Sequence, residues 1–132
     1  MPLSDEYEDK VLDHILGTTE LTFDATVFLA LGTDASPAKA TFTEIGTGMG
    51  YSRQAIVFNA AGTDGIAENA AGTLTFGACS ATAWGTLKSF AIYTLSAAGS
   101  RVIQGALTDQ TKVVGLGDSA TFAAGSVTVT AS

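Results

Sequence analysis

The chain has 132 residues, with thirteen carboxylates against six basic residues and a formal charge of −7. That length suits one domain with a single core. A lone cysteine, Cys79, excludes an intrachain disulfide, and the lack of a basic patch argues against direct binding of a nucleic-acid backbone.

The charge is uneven. Residues 1–24 carry seven acids and one base, a net of −6, and the other 108 residues carry six acids and five bases, a net of −1. That body is rich in Ala, Thr and Gly and nearly neutral. Such a surface suits close packing against other subunits, since free monomers normally rely on scattered charge. The opposing reading is a small β-domain whose residues are mostly internal. No apolar run approaches the roughly 20 residues that span a bilayer, so no membrane partner is expected. The acidic opening "MPLSDEYEDK" lacks the basic region of a signal peptide, which points to a soluble protein made in a cytoplasm.

Residues 4–17, "SDEYEDKVLDHILG", predict one helix. Ser4 is a candidate cap and Gly17 a left-handed stop. Asp5 and Glu6 suit the positive end of the helix dipole, and Glu6 and Lys10 form an i,i+4 pair. Tyr7, Val11 and Ile15, widened by Leu12 and Leu16, make an apolar face that must be buried somewhere. With its acidic linker this helix makes a unit over 1–24.

Residues 25–132 read as strands and turns. "ATVFLAL" (25–31) is a continuous apolar run, favouring a strand buried on both sides. A polar connection follows, with a short strand near 41–45. Further strands are expected at 51–60, 72–78, 85–95, 100–107, 111–116, 119–124 and 126–132. Turn signals such as Asp64–Gly65, "SAAGS" and "GLGD" separate them. The fold class is mainly β: an antiparallel β-sandwich or jelly-roll-like domain of about seven or eight strands, after a short N-terminal α-helix.

Chemistry-bearing motifs are scarce. "GTGMG" (46–50) resembles a phosphate loop but precedes a strand rather than a helix, so it reads as a turn. One histidine, His14, falls far short of a triad or a zinc site. Outside the helical segment, Asp34, Asp64, Glu68, Asp109 and Asp118 lie in predicted turns, and nothing pairs them as a glycosidase would. No catalytic, cofactor or metal-binding residue is assigned. Cys79, in "TFGACSA", reads as a buried, inert thiol. Trp84 reads as closing one end of the core, with an N–H that wants a partner; carbohydrate stacking is the sharper alternative.

The singular residue is Arg53, in "MGYSRQAIVF". In an extended strand it shares a face with Tyr51, Ala55 and Val57. It is a solvated strand end, one half of a buried ion pair with an acid such as Glu44 or an acid of the helix, or a contact across a subunit interface. All three readings are structural.

The order "LSDEYEDKVLDHILG", "TVFLALGT", "GYSRQAIVF", "GTLTF…ATAWGTLKSFAIYT", "VIQGAL", "GDSATFAAGSVTVT" resembles a family of small virion proteins of tailed bacteriophages. The resemblance spans nearly the whole chain, with "GMGY" where a "GGGY" phrase is usual. It implies a structural role without catalysis, as a head decoration (cement) protein or a tail-fibre-like protein. The expectation drawn from it is a decoration protein on the outer capsid surface of the virion, made in the host bacterial cytoplasm. It would be a homo-oligomer, a trimer, bound to the major capsid protein. The alternative is a tail, tail-fibre or baseplate component involved in host attachment. Tyr51, Arg53 and Trp84 match family phrases without an assigned role. With Tyr7, Val11 and Ile15 of the helix they are the candidate structural or interface residues.

Overall fold

The computed structural model describes residues 3–22, 26–70 and 72–130. Its first element is α1 (Asp5–Ile15). Ten strands follow: β1 (Val27–Gly32), β2 (Gln54–Ile56), β3 (Ile66–Glu68), β4 (Leu74–Phe76), β5 (Gly85–Thr86), β6 (Ser89–Tyr93), β7 (Arg101–Ala106), β8 (Val113–Val114), β9 (Ala120–Phe122) and β10 (Thr128–Thr130). The ends of two expected strands, at Ala25 and at 131–132, and the linker residue Asp24 lie outside the described residues.

The apolar run of β1 suits it to an inner strand of the sheet. Leu29, Ala30, Leu31 and Gly32 are all buried, so both faces of the strand are covered. It pairs antiparallel with β2 on one side and with β6 on the other, and β7 completes a sheet of order β2-β1-β6-β7. Alternation sorts side chains by size. Leu29, Leu31, Ile56 and Ile92 join Phe76, Trp84, Leu87 and Val114 in the main core. The other face carries the small residues Ala30 and Ala91, flanked by the buried Gln104, and the pair Gly32–Ser89. Small residues let the 33–45 connection lie directly on the sheet. A Cβ on Gly32 would stand 2.6 Å from the Thr43 carbonyl oxygen and 2.7 Å from the Phe42 ring.

The remaining strands form three antiparallel pairs, β10-β3, β4-β9 and β5-β8. The protein is thus mainly antiparallel β with one short N-terminal helix. These ladders do not by themselves amount to a jelly-roll sandwich. Three boundaries differ from the sequence reading for identifiable reasons. The expected strand at 51–60 shrinks to Gln54–Ile56, because Tyr51 and Arg53 turn their side chains into a polar cluster ahead of it. The segment 85–95 divides where it changes partner. The Leu87 N–H donates to the Lys112 carbonyl on the β8 side, and the Lys88 N–H to Gly32 at the end of β1. Residues 66–68, expected as turn, form a strand opposite β10, which puts Glu68 across from Thr128. Near 41–45 there is only a bridge from Glu44 to Gly32.

The helix ends where expected, in a Schellman closure: Gly17 N–H donates to His14 O and Thr18 N–H to Asp13 O, with Gly17 at φ +74°. His14 is exposed, and its Nδ1 accepts from the Leu21 N–H. Its start differs from the expectation. The Ser4 hydroxyl donates to the Arg101 carbonyl of β7 rather than capping the first turn, because Leu3 and Ser4 pair along the β7 edge. Of the expected apolar face Tyr7 is buried and Val11 half-buried, while Ile15 is 72 % exposed.

Gly32→Ala should lower unfolding stability by roughly 1–3 kcal/mol, since the clash includes backbone and overpacking is paid in strain. Leu116→Ser, at an exposed position, should stay within about 0.5 kcal/mol of wild type. Denaturant unfolding followed by circular dichroism separates the two outcomes.

Candidate functional site

The polar cluster around Arg53 is the best-built site in the protein. The Arg53 Nε and Nη2 donate to the Glu44 Oε1 and Oε2 atoms, each at 2.8 Å, so the guanidinium and carboxylate meet fork to fork. Nη1 donates to two carbonyls of the β6–β7 turn, Leu95 at 3.0 Å and Ala98 at 2.6 Å. The Tyr93 ring covers the guanidinium, with the Arg53 Cζ 3.5 Å from its centroid. Only 9 % of the Arg53 side chain and 22 % of the Glu44 side chain remain accessible. A pair so desolvated is favourable only when its hydrogen bonds are satisfied, and here both carboxylate oxygens are engaged. Of the three readings of Arg53, the structure shows an ion pair within the subunit, made with Glu44 and not with an acid of the helix.

Tyr51 joins this cluster to the core. Its hydroxyl donates to Glu44 Oε1 at 2.8 Å and accepts from the Leu31 N–H at 3.0 Å. Its ring stacks on Phe76, 5.9 Å between centroids and 4° from parallel, and meets Trp84 edge-on at 5.6 Å. Burial, more than the neighbouring Glu44 charge, pushes the Tyr51 phenol far above its ordinary pKa, against the opposing Leu31 N–H and the Arg53 charge. The Glu44 carboxylate raises the already high pKa of the Arg53 guanidinium further.

Trp84 lies at the inner end of the same row. It is 4 % exposed, and its Nε1–H donates to the Met49 carbonyl at 2.7 Å. That burial leaves no free face for a sugar ring. It also explains "GTGMG": Met49 O accepts from Ser80 N–H as well as from Trp84, and Gly50, at φ +75°, lies so close to Ala78 O that a Cβ would stand 2.1 Å from it. The loop is a backbone clasp. Cys79, 3 % exposed, donates its thiol to Thr82 O.

The helix residues stand apart from this row, but one contact reaches the same turn. Glu6 accepts from the Ser100 hydroxyl at 3.0 Å, and Ser100 N–H in turn donates to Thr94 Oγ1 at 3.0 Å. The 94–100 turn is therefore held by Arg53 and by α1. Sequence reasoning reached Glu44 as one possible partner and missed Tyr93 and the two carbonyls. Nothing at a separation of about 40 residues marks a backbone acceptor in advance.

No nucleophile–base pair lies in this cluster, and no group of three or more His, Cys, Asp or Glu side chains fit to hold a metal occurs among the described residues. Among the same residues, no helix is long and apolar enough to cross a membrane. The arrangement fixes geometry: it ties the 33–45 connection, the start of β2 and the β6–β7 turn into one rigid junction.

Two outcomes test this junction. Arg53→Ala should cost about 3 kcal/mol of unfolding free energy, because it strands a largely desolvated carboxylate. Arg53→Lys should recover only part of that loss, since an ammonium cannot reproduce the planar fork. The second outcome concerns alkaline pH. Tyr51 favours its protonated form in the fold, so its contribution is complete below the ordinary tyrosine pKa near 10 and is lost as pH rises above it. In a spectrophotometric titration one phenol should ionise only with alkaline unfolding, and Tyr51→Phe should abolish that component.

Comparison with known proteins agrees with an architectural reading. No curated protein matches the chain significantly. A family model described as "Podophage GP4 fiber I protein gp80" matches residues 2–130, nearly the whole chain. With that coverage the chain belongs to the podophage GP4 fiber I protein gp80 family, a tail-fibre-like family of phage virion structural proteins.

Proposed function

We propose that the protein is a non-enzymatic building unit of a virion fibre, present in several copies, and that it serves host attachment through the fibre's architecture. The observation that carries this is the fibre-family match over residues 2–130. The site supports it. The Arg53 cluster consumes its polar groups in internal hydrogen bonds and leaves none arranged for turnover. No described aromatic side chain is exposed, which favours a shaft or joint over a glycan-binding tip. The alternative of a head clamp, a trimer on the major capsid protein at the outer capsid surface, rests on the Ala/Thr/Gly-rich body and the acidic segment. That composition suits any closely packed subunit equally well.

Immunogold labelling of intact virions tests the placement. Label on the fibres is expected, and label spread over the head faces would overturn it in favour of the clamp. Purified protein should turn over no nucleic acid, peptide or polysaccharide. Reproducible hydrolysis that disappears on substituting one carboxylate would overturn the structural role.

A further inference from the structure

Two surfaces of the protomer are complementary in shape and charge. The first is the outer half of α1. Leu12, Ile15 and Leu16 are 55, 72 and 67 % exposed, and helical geometry puts them in one stripe. Asp9 and Asp13 run beside it, three residues before Leu12 and Leu16. Both are exposed, and neither has an ion-pair partner among the described residues. Lys10 and Lys39 are already engaged, with Glu6 and Glu8.

The second surface is a groove of about 250 Å³, floored by Leu87, Leu107, Ala120 and Phe122 and edged by Asp109 and Lys112. It is smaller than the roughly 300–1,000 Å³ typical of small-molecule sites and is mostly apolar. Asp109 is occupied locally, accepting from both the N–H and the hydroxyl of Thr111. Lys112 is within ion-pair distance of no acid among the described residues, although its charge is felt by Asp109, and it is the groove's one ammonium.

We propose that these surfaces are two halves of one contact between copies. The α1 helix of one copy lays Leu12 and Leu16 into the groove of a second, and the second copy's Lys112 pairs with Asp9 or Asp13. An amphipathic helix in an apolar groove is a recurrent mode of recognition. Charge favours this arrangement over helix-on-helix pairing, which would bring the two Asp9–Asp13 rows into one interface with only Lys10, already paired with Glu6, beside them. The two halves are different patches of the same chain, so the contact is head-to-tail. Such a contact closes into a ring, as a trimer would require, when its rotation is a whole fraction of a turn, and otherwise continues as a filament. The contact rests on the multi-copy reading above but not on the fibre location.

Sedimentation velocity of the full chain over a concentration series tests it. Wild type should associate. Leu12→Ser/Leu16→Ser, which removes the inserted side chains, should raise the association midpoint about tenfold or more. Thr108→Trp should do the same by filling the groove from an exposed position on its wall. Lys112→Glu should weaken association, and adding Asp9→Lys/Asp13→Lys to the same chain should restore it. Mixing the helix variant with the groove variant should give dimers and nothing larger, since each pair retains one intact contact. The sites are at the surface, so circular dichroism should match wild type for every variant. A wild type that is monomeric at all concentrations overturns the proposal, as does an oligomer whose midpoint stays at the wild-type value in either the helix or the groove variant. Neither result bears on where the protein sits in the virion, which the labelling of intact particles decides.

Discussion

The fork-to-fork pairing of Arg53 with Glu44 is the constraint on which the described fold turns. Neither group has a regular-structure role: Arg53 precedes β2, and Glu44 makes only a bridge to the end of β1. Yet their pairing closes the long connection after β1 against the strand that follows it, and the leftover guanidinium N–H groups reach the turn between β6 and β7. Two neighbouring chain segments and a turn some forty residues later therefore share one charge-assisted node. Its rigidity comes from the planarity of the fork and from the Tyr93 ring that shields one side of it.

A largely buried ion pair is a poor source of net stability unless its remaining hydrogen-bonding capacity is used. The protein meets that condition with Tyr51. The phenol brings a donor to Glu44 and an acceptor to the Leu31 N–H, and its ring belongs to the stack that runs through Phe76 and Trp84. Polar node and apolar core are thus one continuous object, with the Met49 carbonyl at its far end. What a buried charge loses in solvation it recovers here in fixed orientation.

Much of this was legible in the sequence, for physical reasons. The run 25–31 had to be covered on both faces because it offers no polar side for water, and β1 is so covered. The helix was readable from its four-residue apolar spacing and its Gly17 stop, and an arginine within an expected strand of a base-poor chain stood out, with Glu44 named as a partner in one of three readings. What was hidden is non-local. Ser4 looks like a cap in sequence, and only the nearness of Arg101 reassigns its hydroxyl. Residues 85–95 read as one strand because the side-chain pattern is unbroken, while the backbone changes neighbours at Leu87 and Lys88. Residues 66–68 carry too short a pattern to announce a strand whose partner lies some sixty residues later. The helix's apolar stripe was expected to be buried throughout, but amphipathicity does not say how much of it the parent domain covers: Tyr7 is buried and Ile15 exposed.

The way Arg53 grips the β6–β7 turn has a practical side. It holds the main-chain oxygens of Leu95 and Ala98 and is indifferent to the side chains displayed there. The left-handed residues Ala98 and Gly99 set the bend, whereas Ser96 and Ala97 point outward at its tip. Those two positions form a rigid pedestal whose identity the fold does not read. A peptide epitope or an affinity handle grafted between them would be presented on a fixed base, repeated once per subunit.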